Sequence, residues 1–118
     1  MAYVYIVRCD DGSLYTGITN DLEKRMKNHL DGSGTSHAKY MRSHKPIEIV
    51  TVWRTEHYKV AAKLEYAIKR LKRAEKIKLI SNPDSVTSRF PALCEYVFEP
   101  LLGITLENCL DGTFFGKK

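Results

Sequence analysis

Five side chains able to move protons, bind anions or hold a cation stand out by their spacing. Tyr5 and Tyr15 flank a hairpin turn, Arg25 and His29 lie four residues apart, and Glu65 is the one acid between residues 59 and 73. What they can do depends on which faces they share. Residues 2–9 and 13–18 are rich in β-formers and are joined through Asp10-Asp11-Gly12, a hairpin pattern. A two-residue turn would put the two tyrosines on opposite faces. A three-residue loop with Gly12 in the left-handed position instead collects Val4, Ile6, Leu14 and Ile18 on one apolar face, and a buried face fixes register. Tyr3, Tyr5, Val7, Tyr15 and Gly17 then share the other face, with Tyr5 opposite Gly17 and diagonal to Tyr15 at roughly 7–8 Å. Glycine inside a strand marks a close approach of a ligand or of another backbone, so open space is expected there beside two phenols. The same pattern also suits two tyrosines that only cover the sheet beneath a helix.

The second pair sits on a helix that starts with Asn20 as N-cap, has Glu23 three residues on, and runs to about residue 30. Leu22, Met26 and Leu30 form its apolar stripe. At about 100° per residue, His29 falls within that stripe and Arg25 roughly 60° from Leu22, so the two stack along the edge that meets the core. An arginine there often only snorkels, and a histidine there is often only a core residue. Residues 59–73 form an amphipathic helix with Val60, Leu64, Ala67, Ile68 and Leu71 at helical spacing. Its Glu65 has a plain role available, an ion pair with Lys69 at i+4 worth a few tenths of a kcal/mol. A second helix is expected over 74–81 and a third strand over 47–54, with Ile47, Ile49, Thr51 and Trp53 on one side. Residues 32–46 form a polar, basic connection. Beyond Asn82-Pro83-Asp84 the chain is less basic, and a short strand is expected near 95–98. These elements predict an α/β protein of the α+β type, a small three-stranded antiparallel sheet flanked by helices.

A length of 118 residues with 43% hydrophobic and 28% charged residues fits one soluble domain with a real core. No apolar run approaches a membrane span and no signal-peptide pattern leads the chain, which points to the cytoplasm. Cys9, Cys94 and Cys109 contain no CxxC pair, and their odd number argues against a disulfide framework. The four histidines lack metal-site spacing, and there is no phosphate-binding P-loop, nucleophile elbow or dinucleotide fingerprint. Residues 1–80 carry 16 Lys/Arg against 9 Asp/Glu, whereas residues 81–118 carry 3 against 5. The excess is thickest between Lys59 and Lys78, with eight bases and two acids. Such a basic body suits a polyanion, most often nucleic acid, or simply a solvated helix face.

Together these residues resemble the GIY-YIG nuclease superfamily, and most of all its small single-domain bacterial branch. The first signature element is Tyr3-Val4-Tyr5 and the second Tyr15-Thr16-Gly17. The stretch from Tyr15 to Arg25, followed by His29, is similar to the family's helix with its Arg-x3-His. Glu65-Tyr66 is similar to its metal-binding glutamate. The resemblance spans about residues 2–80. The glycine and isoleucine of the first element are replaced by Tyr3 and Val4, and the isoleucine of the second by Thr16. Asn82 is the nearby candidate for the family's late asparagine.

The resemblance implies a GIY-YIG nuclease-like domain over residues 1–82 and an extension of unknown role, packed on it, over 83–118. It implies a metal-dependent endonuclease that hydrolyses phosphodiester bonds in DNA, structure-selective and serving repair or recombination. Tyr5, Tyr15, Arg25, His29 and Glu65 would be catalytic. Glu65 would hold Mg²⁺ or Mn²⁺, Arg25 would bind the phosphate, one tyrosine would take a proton from water while the other orients it, and His29 would position or transfer a proton. Lys39, Tyr40 and Arg42 are expected to contact the nucleic acid. The alternative is a non-catalytic nucleic-acid-binding module with the same fold.

Overall fold

The first strand has apolar residues pointing to both faces, so it needs cover on both. The computed structural model describes residues 1–31 and 45–116. It places β1 (Ala2–Cys9) inside an antiparallel sheet with β2 (Leu14–Thr19), β3 (Pro46–Thr55) and β4 (Glu99–Pro100), in the order β2-β1-β3-β4. Helices α1 (Leu22–Asp31), α2 (Tyr58–Lys69), α3 (Arg73–Ser81), α4 (Val86–Arg89) and α5 (Leu106–Leu110) surround it. The hairpin has the register that its apolar face demands: Val4 pairs Ile18, Tyr5 pairs Gly17 and Ile6 pairs Thr16. Gly12 takes φ +84° in the three-residue loop, a conformation that glycine adopts without strain.

Two cores result. On one face Val4, Ile6 and Trp53 pack against Ala61, Leu64 and Ile68 of α2 and Leu79 of α3. On the other, Tyr5, Val7 and Val52 meet Leu22 and Met26 of α1, together with Ile104 and Cys109. Residues beyond 82 enter both cores: Val86, Leu93 and Phe98 join the first, Ile104 and Cys109 the second. Trp53 Nε1 donates to the Pro83 carbonyl at 3.0 Å, and the Leu101 amide donates to the Val52 carbonyl at 2.9 Å. The segment from 83 onward is thereby fastened to the sheet on both sides.

Several expectations need correction. The sheet has four strands, not three, because the late strand forms at Glu99–Pro100 beside β3 instead of at 95–98. β3 does not keep Ile47, Ile49, Thr51 and Trp53 on one side. Ile6 pairs Thr51 while Val7 pairs Ile49, so Val50 is an extra residue. One such bulge reverses the alternation, sending Ile49 to the α1 core and Trp53 to the α2 core. The helix expected over 59–73 stops at Lys69: the Leu71 amide donates to the Ile68 carbonyl in a tightened last turn, which lets Leu71 pack on the core before α3 starts. Asp21, not Asn20, caps α1, its Oδ1 accepting from the Lys24 amide at 3.1 Å.

Candidate active site

Tyr5 is the centre of the arrangement. It lies on an inner strand, is fully buried, and shares a hydrogen bond of 2.8 Å between its hydroxyl and His29 Nε2. Burial pushes its phenol well above the ordinary tyrosine range, and Tyr15 adds to that; the Arg25 guanidinium pulls the other way and the Glu65 carboxylate again raises it. The Tyr5 hydroxyl therefore keeps its proton, and the imidazole tautomer sets which partner donates in its bond to Nε2. Tyr5, Tyr15 and His29 form a triangle, with ring centroids 6.4, 6.0 and 5.8 Å apart for Tyr5–Tyr15, Tyr5–His29 and Tyr15–His29.

The space beside Gly17 is not open. A Cβ built there would lie 2.5 Å from Tyr5 Cζ, so the phenol itself occupies the room that the missing side chain leaves. Glycine serves here to admit the ring across the strand pair.

His29 and Arg25 arrive together because they are one helical turn apart on α1. His29 is buried, while Arg25 is half-buried. Arg25 Nη1 is buried without a hydrogen-bond partner among the described residues. An N–H of a charged group left unpaired in this way is costly, and it sits in the surroundings of the Tyr5 hydroxyl, on which the same guanidinium acts. An anionic oxygen is what would satisfy it.

Glu65 comes from α2, on the opposite face of the sheet. The helix lies against the edge strand β2, which is how its carboxylate reaches the same surroundings. Glu65 Oε2 is 3.4 Å from Lys69 Nζ, and that ammonium is 5.9 Å from the Tyr15 ring centroid. The pair expected at i+4 is thus present, and it stands beside the phenol. Lys69 is the site neighbour that the sequence reading left out; its only signal was the i+4 spacing from Glu65.

Among these groups Glu65 is the carboxylate that a divalent cation could use. No cluster of three or more His, Cys, Asp or Glu side chains suited to a metal occurs among the described residues. A single carboxylate fits Mg²⁺ only where waters and a substrate phosphate complete the octahedron. The unpaired Arg25 N–H marks where such a phosphate would be welcome, so the donor set fits a substrate-completed site.

Tyr5, Tyr15, Arg25 and His29 are therefore brought together, and Glu65 borders them through Lys69. Lys39, Tyr40 and Arg42 lie outside the described residues. Asn82 is exposed, its amide closing α3 on the Lys78 and Leu79 carbonyls. Among the described residues no helix is long and apolar enough to cross a membrane.

Comparison with known proteins finds relatives of this chain. A UPF0213 protein of Clostridium perfringens is 49% identical over 82 residues, 70% of this chain and 85% of that protein. One of Oceanobacillus iheyensis is 50% identical over 78 residues, covering 66% and 87%. The solution NMR structure of a UPF0213 protein from Bacillus halodurans is 37% identical, covers 76% of this chain and 97% of that one, and superposes with a TM-score of 0.45. The family model of the GIY-YIG catalytic domain matches residues 1–78, which hold every residue of the cluster, and the chain belongs to that family.

Proposed function

We propose that this protein is a metal-dependent endonuclease that hydrolyses phosphodiester bonds in DNA, and that Tyr5, Tyr15, Arg25, His29 and Glu65 form its active site. The observation that carries the reading is the buried Arg25 Nη1, without a hydrogen-bond partner among the described residues, on a guanidinium that acts on the Tyr5 phenol, which is grouped with Tyr15 and His29. Membership of a nuclease superfamily supports it.

The roles follow from position. Arg25 presents a planar fork to a phosphate oxygen and offsets the charge that builds there during in-line displacement. Glu65 would hold Mg²⁺ or Mn²⁺, with Lys69 giving up its place on the carboxylate. Such a cation, when bound, supplies Lewis-acid stabilisation of the phosphoryl and leaving oxygens. Tyr5, kept protonated by burial, orients the site through His29 and is the wrong phenol to act as base. Tyr15, half-buried on the edge strand, is placed to take the proton from the attacking water. Lys69 stands near its ring to offset the negative charge left there. Lys39, Tyr40 and Arg42 would hold the flanking nucleic acid. With no separate reading domain over the matched residues, contacts to backbone and shape would select the substrate. That suits branched, flapped or nicked DNA of the kind met in repair and recombination.

The decisive experiment is a cleavage screen over duplex, nicked, flapped and branched DNA with Mg²⁺ or Mn²⁺, wild type beside Glu65→Ala. Cutting by the wild type that Glu65→Ala abolishes, with binding retained, is the expected result. Binding without cutting on every substrate and with either metal would replace the proposal by a non-catalytic nucleic-acid-binding module.

A further inference from the structure

The basic run between Lys59 and Lys78 separates in three dimensions into groups with different surroundings. Lys63 lies over the Tyr96 ring at 5.8 Å, and Arg70 donates to the Tyr66 hydroxyl at 2.9 Å. Lys78 is 3.5 Å from Glu75, which also takes Arg89 at 2.7 Å. Lys72, Arg73 and Lys76 pair with no carboxylate among the described residues.

The break between α2 and α3 sets Lys69 at the end of one helix and Lys72 at the cap of the next, which Arg73 and Lys76 begin. Their closeness is felt at Lys76, whose ammonium is drawn below the ordinary lysine range, first by burial and then by the charges of Lys69 and Arg73. Crowding of like charges raises the free energy of the isolated protein and is relieved by a polyanion. At its other end the strip enters the candidate active site, where Lys69 stands beside Glu65 and Tyr15.

We propose that Lys69, Lys72, Arg73 and Lys76 form a track for the phosphate backbone of a nucleic-acid strand, leading it over the α2–α3 elbow to Arg25. The destination rests on the phosphodiesterase reading above, whereas the track itself requires only a polyanionic strand. Lys59 and Lys63, on the first turns of α2, take no part in it.

The test is equilibrium binding of a fluorescein-labelled DNA flap, followed by anisotropy in EDTA over a series of NaCl concentrations. The proteins are wild type, Arg73→Ala/Lys76→Ala and the charge-matched Lys59→Ala/Lys63→Ala. Losing two phosphate contacts should lower the slope of log K against log salt by about 2 and weaken binding near 0.1 M salt by at least about tenfold, with an upper bound of roughly 60-fold. The matched control should stay within about twofold of wild type. Since Lys76 is half-buried, Lys72→Ala/Arg73→Ala serves as a second variant, both of its sites being exposed. Equal losses in strip and control variants, or no loss in either strip variant, would overturn the track and leave the nuclease reading standing. Selective loss of binding by a protein that cuts nothing would keep the track and remove the nuclease. A wild type that binds no nucleic acid at all would end both.

Discussion

Replacing Gly17 by alanine should damage this protein out of proportion to one methyl group. The backbone there is not in the left-handed region, so alanine is allowed by φ and would by itself gain about 0.4–1 kcal/mol through the unfolded chain. The methyl carbon would, however, lie 2.5 Å from Tyr5 Cζ and 3.1 Å from Cε1. An ordinary carbon contact needs about 3.5–4.0 Å, so the ring must retreat by about 1 Å. It has nowhere to go, being fully buried with its hydroxyl held by His29 at 2.8 Å. Overpacking of this kind costs about 1–3 kcal/mol, and breaking the buried hydrogen bond adds about 1–3 kcal/mol. After the backbone gain the net loss is about 1–5 kcal/mol, a drop in Tm of roughly 4–20 °C for a chain of this size. Urea unfolding of Gly17→Ala, Tyr5→Leu and the double variant forms the assay. Because leucine no longer reaches across the strand pair, the two changes should be non-additive by about 1–2 kcal/mol. A loss below about 0.5 kcal/mol in the single variant, or an additive cycle, would refute the claim that Gly17 exists to admit the Tyr5 ring.

Other expectations follow from the same contacts. Arg25→Lys keeps the charge but removes the fork, so single-turnover cleavage should fall about 100-fold; an unchanged rate would remove Arg25 from the site. Burial pushes the Cys109 thiol up to about 11. The unfolded chain therefore releases this proton from about pH 8.5 while the folded chain keeps it, and stability is full below that pH and lost as pH rises to about 11, by at most about 2–3 kcal/mol. Cys109→Ala should flatten that alkaline decline in urea midpoints, and parallel slopes would count against it. Ile104→Ala should cost about 2–4 kcal/mol and loosen hydrogen-exchange protection in α1, because Ile104 shares a core with Leu22 and Met26; a loss that spares α1 would mean the late segment does not seat that helix.

The parts of this fold legible in the sequence are those where burial leaves one solution. The hairpin register was fixed by Val4, Ile6, Leu14 and Ile18, since a slip by one residue would turn Leu14 and Ile18 away from the face that holds Val4 and Ile6. The bulge at Val50 had no such signal, because valine, isoleucine and threonine fit either face of a strand and neither glycine nor proline marks the spot. The end of α2 was hidden in the same way. Arg70, Leu71 and Lys72 are good helix formers, and only the need to tuck Leu71 onto the core while Leu79 reaches the same core stops the helix there. Asn20 and Asp21 are both capable caps, and the choice rests on a chain direction that local pattern does not encode. Within the site, Arg25 with His29 could be read from helical spacing. That Glu65 joins them from the far face could not, since spacing on α2 says nothing about how that helix lies along the sheet edge.

Tyr5 and Tyr15 began as equals, the same residue type on the same face of one hairpin, and strand order separates them. β1 is an inner strand, so Tyr5 is roofed by α1 and walled by its neighbours, its phenol held protonated and bonded to His29. β2 is the edge strand, so Tyr15 keeps partial exposure and meets what α2 brings around that edge, Lys69 and, through it, Glu65. A desolvated phenol that cannot ionise is a good fixed point for orienting other groups, and a poor place to put a proton's negative charge. The partly exposed one beside an ammonium has the opposite merits. On the proposed reading, the division between positioning and proton transfer therefore does not need two kinds of residue. It needs one kind at two depths, and a hairpin with one inner and one edge strand supplies both.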